Sequence, residues 1–127
     1  MSDCLFCRIV AGEIPATVVY ETDDVLAIRD IHPKAPVHVL VITKAHYANV
    51  AELAEADPAL AAAVLAGVGA VARSEGVAET GFRTILNSGP DSGMEVPHVH
   101  AHVLGGQPLG AMISVGQSST QQPGARS

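Results

Sequence analysis

The stretch His98-Val99-His100-Ala101-His102-Val103-Leu104 alternates an imidazole with a small or branched apolar residue over seven positions. Side chains on a β-strand point alternately to opposite faces, with same-face neighbours ~6.6–7 Å apart. The run therefore predicts a strand over Val99–Leu104, its histidines on one face and Val99, Ala101 and Val103 in the core. Gly105-Gly106 stops it. Only six histidines occur in the whole chain, so three within five residues mark this face as chemical. Histidines two apart on a strand can share a zinc ion, line a polar surface, or present neutral imidazoles as nucleophile and donors to a phosphate. The preceding loop, Asn87-Ser88-Gly89-Pro90-Asp91-Ser92-Gly93, resembles an anion-holding turn, because small residues let backbone N–H groups approach a phosphate.

Outward from this strand, short elements recur. Cys4–Ala11 suits one or two helical turns before Gly12 and Pro15. Thr17–Glu21 and Val25–Asp30 read as a hairpin turning at Asp23-Asp24, and the prolines of 31–36 impose a loop. Val37–Thr43 is a buried strand by its β-branched run. Asp57-Pro58 places an N-cap before a proline at the first helical position. Leu60, Val64, Val68 and Val71 follow at helical spacing until Gly76. A further strand is expected over Phe82–Asn87, then a loop over Ser88–Pro97. The order β-β-β-α-β-β with short early connections predicts an α+β fold. It comprises an antiparallel sheet of about five strands, one long helix and a short N-terminal helix. Residues 1–106 form the domain and 107–127 a C-terminal extension, its Gln/Ser/Thr-rich end a mobile tail.

Composition narrows the function. The 127 residues suit one domain, and 48% hydrophobic content supports a full core. With no Trp, two Phe, two Tyr and a net charge of -6, the chain lacks the aromatic platform and basic groove of a nucleic-acid binder. The uncharged run from Pro58 to Ala72 is shorter than the ~20 residues that span a bilayer, and it contains Gly67 and Gly69. Met1-Ser2-Asp3-Cys4 lacks the basic start and apolar stretch of a secretory signal, so a cytoplasmic setting without membrane association is expected. In such a compartment Cys4-Leu5-Phe6-Cys7 reads as half of a tetrahedral zinc site, a redox pair or two unliganded thiols. No thioredoxin-like βαβ context supports the redox reading.

The run 98–104 matches the H-φ-H-φ-H-φ-φ signature of the histidine-triad (HIT) superfamily. Gly105-Gly106, Asp30-Ile31-x-Pro33, Pro36-x-His38 and Asn87 resemble its Hint-like branch in the same order, over about residues 4–106. The resemblance implies a covalent nucleotidyl-imidazole mechanism at the α-phosphate. His100 is then the nucleophile, His102 hydrogen-bonds the phosphate, and His38 lies near or positions the leaving group. Asn87 and the region of Gly93 hold phosphate oxygens, Asp30 accepts from ribose hydroxyls, and Ile31 packs beside the base. It also implies a homodimer, to which the Ala/Val/Gly-rich helix 58–75 could offer an apolar face. In members carrying this cysteine pair it implies a structural Zn²⁺ on Cys4, Cys7, His46 and His98. Two departures bear on the leaving group. Met94-Glu95 replaces the common Gln-Ser, putting the Glu95 carboxylate close to the phosphate, and Gln107 stands where a cation is common.

The leading expectation is a hydrolase releasing AMP or GMP from purine nucleoside phosphoramidates. The alternatives are a dinucleoside polyphosphate hydrolase of the Fhit-like kind, a nucleotide-binding regulatory or scaffold protein with incidental catalysis, and a metal store.

Overall fold

The computed structural model describes residues 3–113; the expected mobile end of the tail lies outside them. Five strands, β1 (Val18–Glu21), β2 (Val25–Arg29), β3 (Val37–Thr43), β4 (Phe82–Ile85) and β5 (His100–Gly105), form one antiparallel sheet in the order β1-β2-β3-β5-β4. Three helices, α1 (Leu5–Val10), α2 (Val50–Ala56) and α3 (Pro58–Ser74), complete the α+β fold together with a 3₁₀ turn at Pro90–Ser92. Among the described residues, no helix is long and apolar enough to cross a membrane.

The sheet separates two apolar layers, and the alternation of its strands sorts residues between them. Val25, Ala27, Val39, Val41, Val99, Ala101 and Val103 face α3 and pack on Leu60, Val64, Val68 and Val71. Each buried valine or leucine among them contributes about 1.5–3 kcal/mol. The opposite face carries Leu26, Ile28, Leu40 and Ile42, covered by Phe6, Ile9 and Val10 of α1. Helix α3 begins where Asp57 Oδ1 accepts from the Leu60 amide at 3.1 Å, and it ends ahead of Gly76, whose φ of 77° suits glycine. Gly67 lets the helix lie close on the sheet, since a Cβ there would stand 3.0 Å from Val41 Cγ1. Gly106, with φ 93° and space for a Cβ only 2.9 Å from Pro36, turns the chain out of the sheet after β5.

Four details depart from the sequence expectation. Helix α2 was not foreseen, because only Leu53 of it is buried and seven residues carry no clear apolar period. Its signal was a reciprocal cap: Asn49 Oδ1 accepts from the Glu52 amide at 2.9 Å, and Glu52 Oε1 accepts from the Ala48 amide at 2.7 Å. Strand β4 stops at Ile85 rather than Asn87. Strand β5 runs from His100 to Gly105 rather than from Val99 to Leu104. The Val99 amide instead donates to Tyr47 O at 2.9 Å. The loop over 88–97 holds the 3₁₀ turn.

The tight seat of α3 gives a direct test. Gly67→Leu should lower stability by about 1–3 kcal/mol through overpacking against Val41 and Val25, read as a shifted urea midpoint with unchanged slope.

Candidate functional site: a histidine cleft beside a thiol–imidazole cluster

Strands β3 and β5 pair with Ile42 opposite His100, Leu40 opposite His102 and His38 opposite Leu104. This register brings the three predicted catalytic imidazoles together on the face away from α3. The His38 and His102 rings are 5.2 Å apart between centroids, and those of His100 and His102 are 5.1 Å apart.

Backbone partners set the tautomer of each ring. The Lys34 amide donates to His38 Nδ1 at 3.0 Å, so in the neutral ring the proton is on Nε2. His38 Nε2–H then donates to His102 Nδ1 at 2.9 Å, with Asp30 Oδ2 a more distant acceptor at 3.4 Å. His102, accepting on Nδ1, keeps its proton on Nε2 as a donor. His100 works the other way round. Its Nδ1–H donates to the carbonyl of His98 at 2.7 Å, which leaves the Nε2 lone pair free to attack.

Burial holds these rings neutral. Desolvation is the main cause that lowers His38 and His100 below the ordinary histidine value, outweighing the carboxylate of Asp30. His102 is pushed down to about 4, by burial first and then by neighbouring His100 and His38. At neutral pH the site thus presents a lone pair and N–H donors rather than imidazolium ions.

The histidines open onto a cleft of about 370 Å³, within the range of small-molecule sites. Of the predicted nucleotide contacts, Asp30, Asn87, Gly93 and Glu95 line it. Ile31 does not; it is 84% exposed beside Asp30. Sequence reading missed the apolar walls formed by Phe6, Leu40, Ile85, Val96 and Leu104, as well as His32 and Lys34. The alternation of β3 and β5 could have supplied Leu40 and Leu104. Phe6 carried no signal of its own, because it arrives from α1 across 94 positions of chain.

The four predicted metal ligands converge beside this cleft, with ligand atoms all within 4.8 Å of one another. His98 Nδ1 lies 3.3 Å from Cys4 Sγ, 3.5 Å from Cys7 Sγ and 3.1 Å from His46 Nδ1. Cys7 Sγ is 3.3 Å from His46 Nδ1. A tetrahedral ion held by two sulfurs at ~2.3 Å and two nitrogens at ~2.0–2.1 Å needs ligand atoms roughly 3.3–3.8 Å apart. The donor set therefore fits a four-coordinate site with little adjustment. His98 Nε2–H donates to Thr43 O at 2.6 Å, which leaves Nδ1 as the ligating lone pair and supplies the outer-sphere support typical of a ligand histidine.

Asp30, His38 and His102 form a second group of potential ligands. Here the hydrogen bonding opposes coordination. A metal on His38 Nε2 would move its proton to Nδ1, against the Lys34 N–H that points there. This group is a hydrogen-bond relay.

Comparison with known proteins follows the same lines. A family model described as HIT domain matches residues 11–109. The purine nucleoside phosphoramidase of Escherichia coli K12 is 41% identical over 113 residues, covering 88% of this chain and 94% of that protein. The 14 kDa zinc-binding protein of Zea mays is 40% identical over 110 residues, 85% of each chain. The crystal structure of a HIT family hydrolase from Legionella pneumophila superposes with a TM-score of 0.80 at 45% identity, covering 84% of this chain and 95% of that one.

The depressed histidines tie stability to pH. Folded His102 titrates near 4 but unfolded His102 near ~6.5, so the unfolded chain binds more protons between those values. His102 thus contributes stability that is fully present above pH ~6.5 and declines as pH falls toward about 4. Thermal melts at pH 7.5 and 5 should show a lower Tm at pH 5, and His102→Gln should shrink the difference. An equal difference in the variant would refute the assignment.

Proposed function

Because the chain belongs to the HIT domain family, we propose that it is a hydrolase cleaving purine nucleoside phosphoramidates at the α-phosphate through a nucleotidyl-histidine on His100. The observation that carries this reading is the 2.7 Å hydrogen bond from His100 Nδ1–H to the His98 carbonyl, which leaves Nε2 as the lone pair facing substrate. The named activity of the Escherichia coli relative supports the choice of a P–N bond.

In the first step His100 Nε2 forms a bond to phosphorus while the P–N bond breaks, and the departing amine takes a proton from water. The imidazole becomes cationic, and its Nδ1–H bond to His98 O strengthens as that charge grows. In the second step water attacks phosphorus and gives its proton to the hydroxide left by the first step, the bond to Nε2 breaks and AMP or GMP leaves, restoring neutral His100. His102 Nε2–H serves a phosphate oxygen, with its tautomer held by His38. Asn87, the backbone near Gly93 and the ammonium of Lys34 complete the phosphate environment from the cleft wall. Asp30 is assigned to the ribose hydroxyls, exposed Ile31 to the rim beside the base, and Glu95 to the side of the leaving amine.

Zn²⁺ is the proposed occupant of the Cys4, Cys7, His46 and His98 cluster, where it staples α1 to the sheet. With four protein ligands no position remains for a reacting water, so its role is structural. Thiolate ligands suit a reducing, cytoplasmic compartment. The proposal includes a homodimer; the edge strand β4, with Phe82 38% exposed, supports it.

Two measurements test these assignments. Adenosine 5′-phosphoramidate should be turned over with a higher kcat/KM than a dinucleoside polyphosphate, and His100→Ala should lose roughly 10³-fold or more of that turnover. Retained activity in the variant would exclude His100 as nucleophile, and nucleotide binding without turnover of either substrate would favour the scaffold reading. Plasma emission spectrometry should find one zinc per chain, sharply reduced in Cys7→Ser and unchanged in His38→Gln, because the relay binds no metal.

A further inference from the structure

His98 is the residue at which the two parts of the site join. Its ring is fully buried, with Nδ1 among Cys4, Cys7 and His46 and Nε2–H on the carbonyl of Thr43. Its own carbonyl accepts the proton that sets the tautomer of His100. The next residue is held at both of its backbone groups: the Val99 amide donates to Tyr47 O at 2.9 Å, and Val99 O accepts from the Thr43 amide at 3.3 Å. The imidazole among the thiols and the carbonyl that orients the nucleophile thus belong to one residue.

A second connection runs through Phe6. This residue stands between the two cysteines on a six-residue helix, far below the ~12–15 residues at which a helix holds itself. Its position depends on its tertiary attachments, among them the two thiols beside His46 and His98. Phe6 is only 5% exposed, and its ring meets His100 at 4.8 Å between centroids and 76°, an edge-to-face contact. It meets His98 at 5.9 Å and 84°. The hydrogen bond to His98 O fixes one edge of the His100 ring but still permits tilting about that bond, and the Phe6 ring is packed against the ring so held.

We propose that Phe6 is a positioning residue for His100, held in place by the Cys4–Cys7–His46–His98 centre, so that this centre orients the nucleophile as well as stapling the fold. The inference rests on the reading of His100 as nucleophile. It also separates two uses of one side chain. As a mere wall of the cleft Phe6 would contribute binding alone, and its loss would raise KM at constant kcat. As a positioning residue it acts on the step at phosphorus, and its loss lowers kcat.

The test compares Phe6→Ala, Phe6→Leu and Phe6→Tyr, each checked by circular dichroism and metal content for an intact fold. Phe6→Ala should lower kcat about 10- to 100-fold, the range associated with misplacement of a reacting group, with KM within about 3-fold. Phe6→Leu, which keeps apolar volume without a ring, should retain much of the defect, and Phe6→Tyr should restore kcat. A readout independent of activity is the ¹⁵N spectrum of histidine-labelled protein. Wild-type His100 should show a single Nδ1–H tautomer, and both Phe6→Ala and chelator-treated wild type should show a mixture or exchange broadening. Unchanged kcat with raised KM, or a His100 signature unaffected by both treatments, would overturn the proposal. Absence of phosphoramidate turnover in the wild type would instead defeat the functional reading, while the ring spectra would still decide whether Phe6 and the metal centre orient His100.

Discussion

The pairing of β3 with β5 is the constraint from which the rest of the molecule follows. Both strands are central, and both alternate strictly, so their shared ladder produces two faces of opposite chemistry. Val39, Val41, Val99, Ala101 and Val103 give α3 an unbroken apolar surface. The same alternation delivers His38, His100 and His102 to the other face, where β-sheet hydrogen bonds hold their backbones rigidly. A one-residue slip of β5 against β3 would exchange the faces, burying imidazoles under α3 and exposing valines. The fold therefore protects the register of its histidine face with the whole energy of its larger core.

Placing several imidazoles in a half-buried cluster creates an electrostatic problem, and the structure meets it by excluding charge. A carboxylate-rich surrounding would have drawn protons onto the rings. Here Asp30 pulls in that direction, joined at His100 by the His98 carbonyl, against desolvation, Lys34 and the neighbouring histidines. The cluster is consequently a set of neutral donors and acceptors at neutral pH. The same arrangement links acid lability to function, because protonating the rings disrupts both the relay and the packing around it.

Much of this was legible in the chain. Valine-rich β3 and the histidine alternation of β5 declared their faces, and Asp57-Pro58 declared the start of α3 with the cap observed at 3.1 Å. Asp30, Asn87, Gly93 and Glu95 were located in the cleft from motif order. Features that depend on two distant segments were not legible. Phe6 reads as an ordinary apolar residue between cysteines, and nothing local says that it will reach His100. Lys34 reads as a loop cation, yet its backbone amide, not its ammonium, decides the tautomer of His38. Helix α2 escaped because its cap, and not its periodicity, carries the signal.

The histidines also show why residue type and proximity do not by themselves predict chemistry. His98, His100 and His38 are all buried, and all lie beside other possible ligands. What separates them is a single backbone group apiece. A carbonyl on Nε2 of His98 frees Nδ1 toward the thiols. A carbonyl on Nδ1 of His100 frees Nε2 toward the cleft. An amide N–H on Nδ1 of His38 turns Nε2 into a donor and closes it to metal. Because each of these groups belongs to the backbone, the choice of tautomer is set first by strand register and loop path, and the side chains packed on each ring hold it against that partner. A cluster whose residue types suit a metal, a nucleophile or a proton relay equally is thereby differentiated ring by ring, each ring with its own donor and acceptor nitrogen.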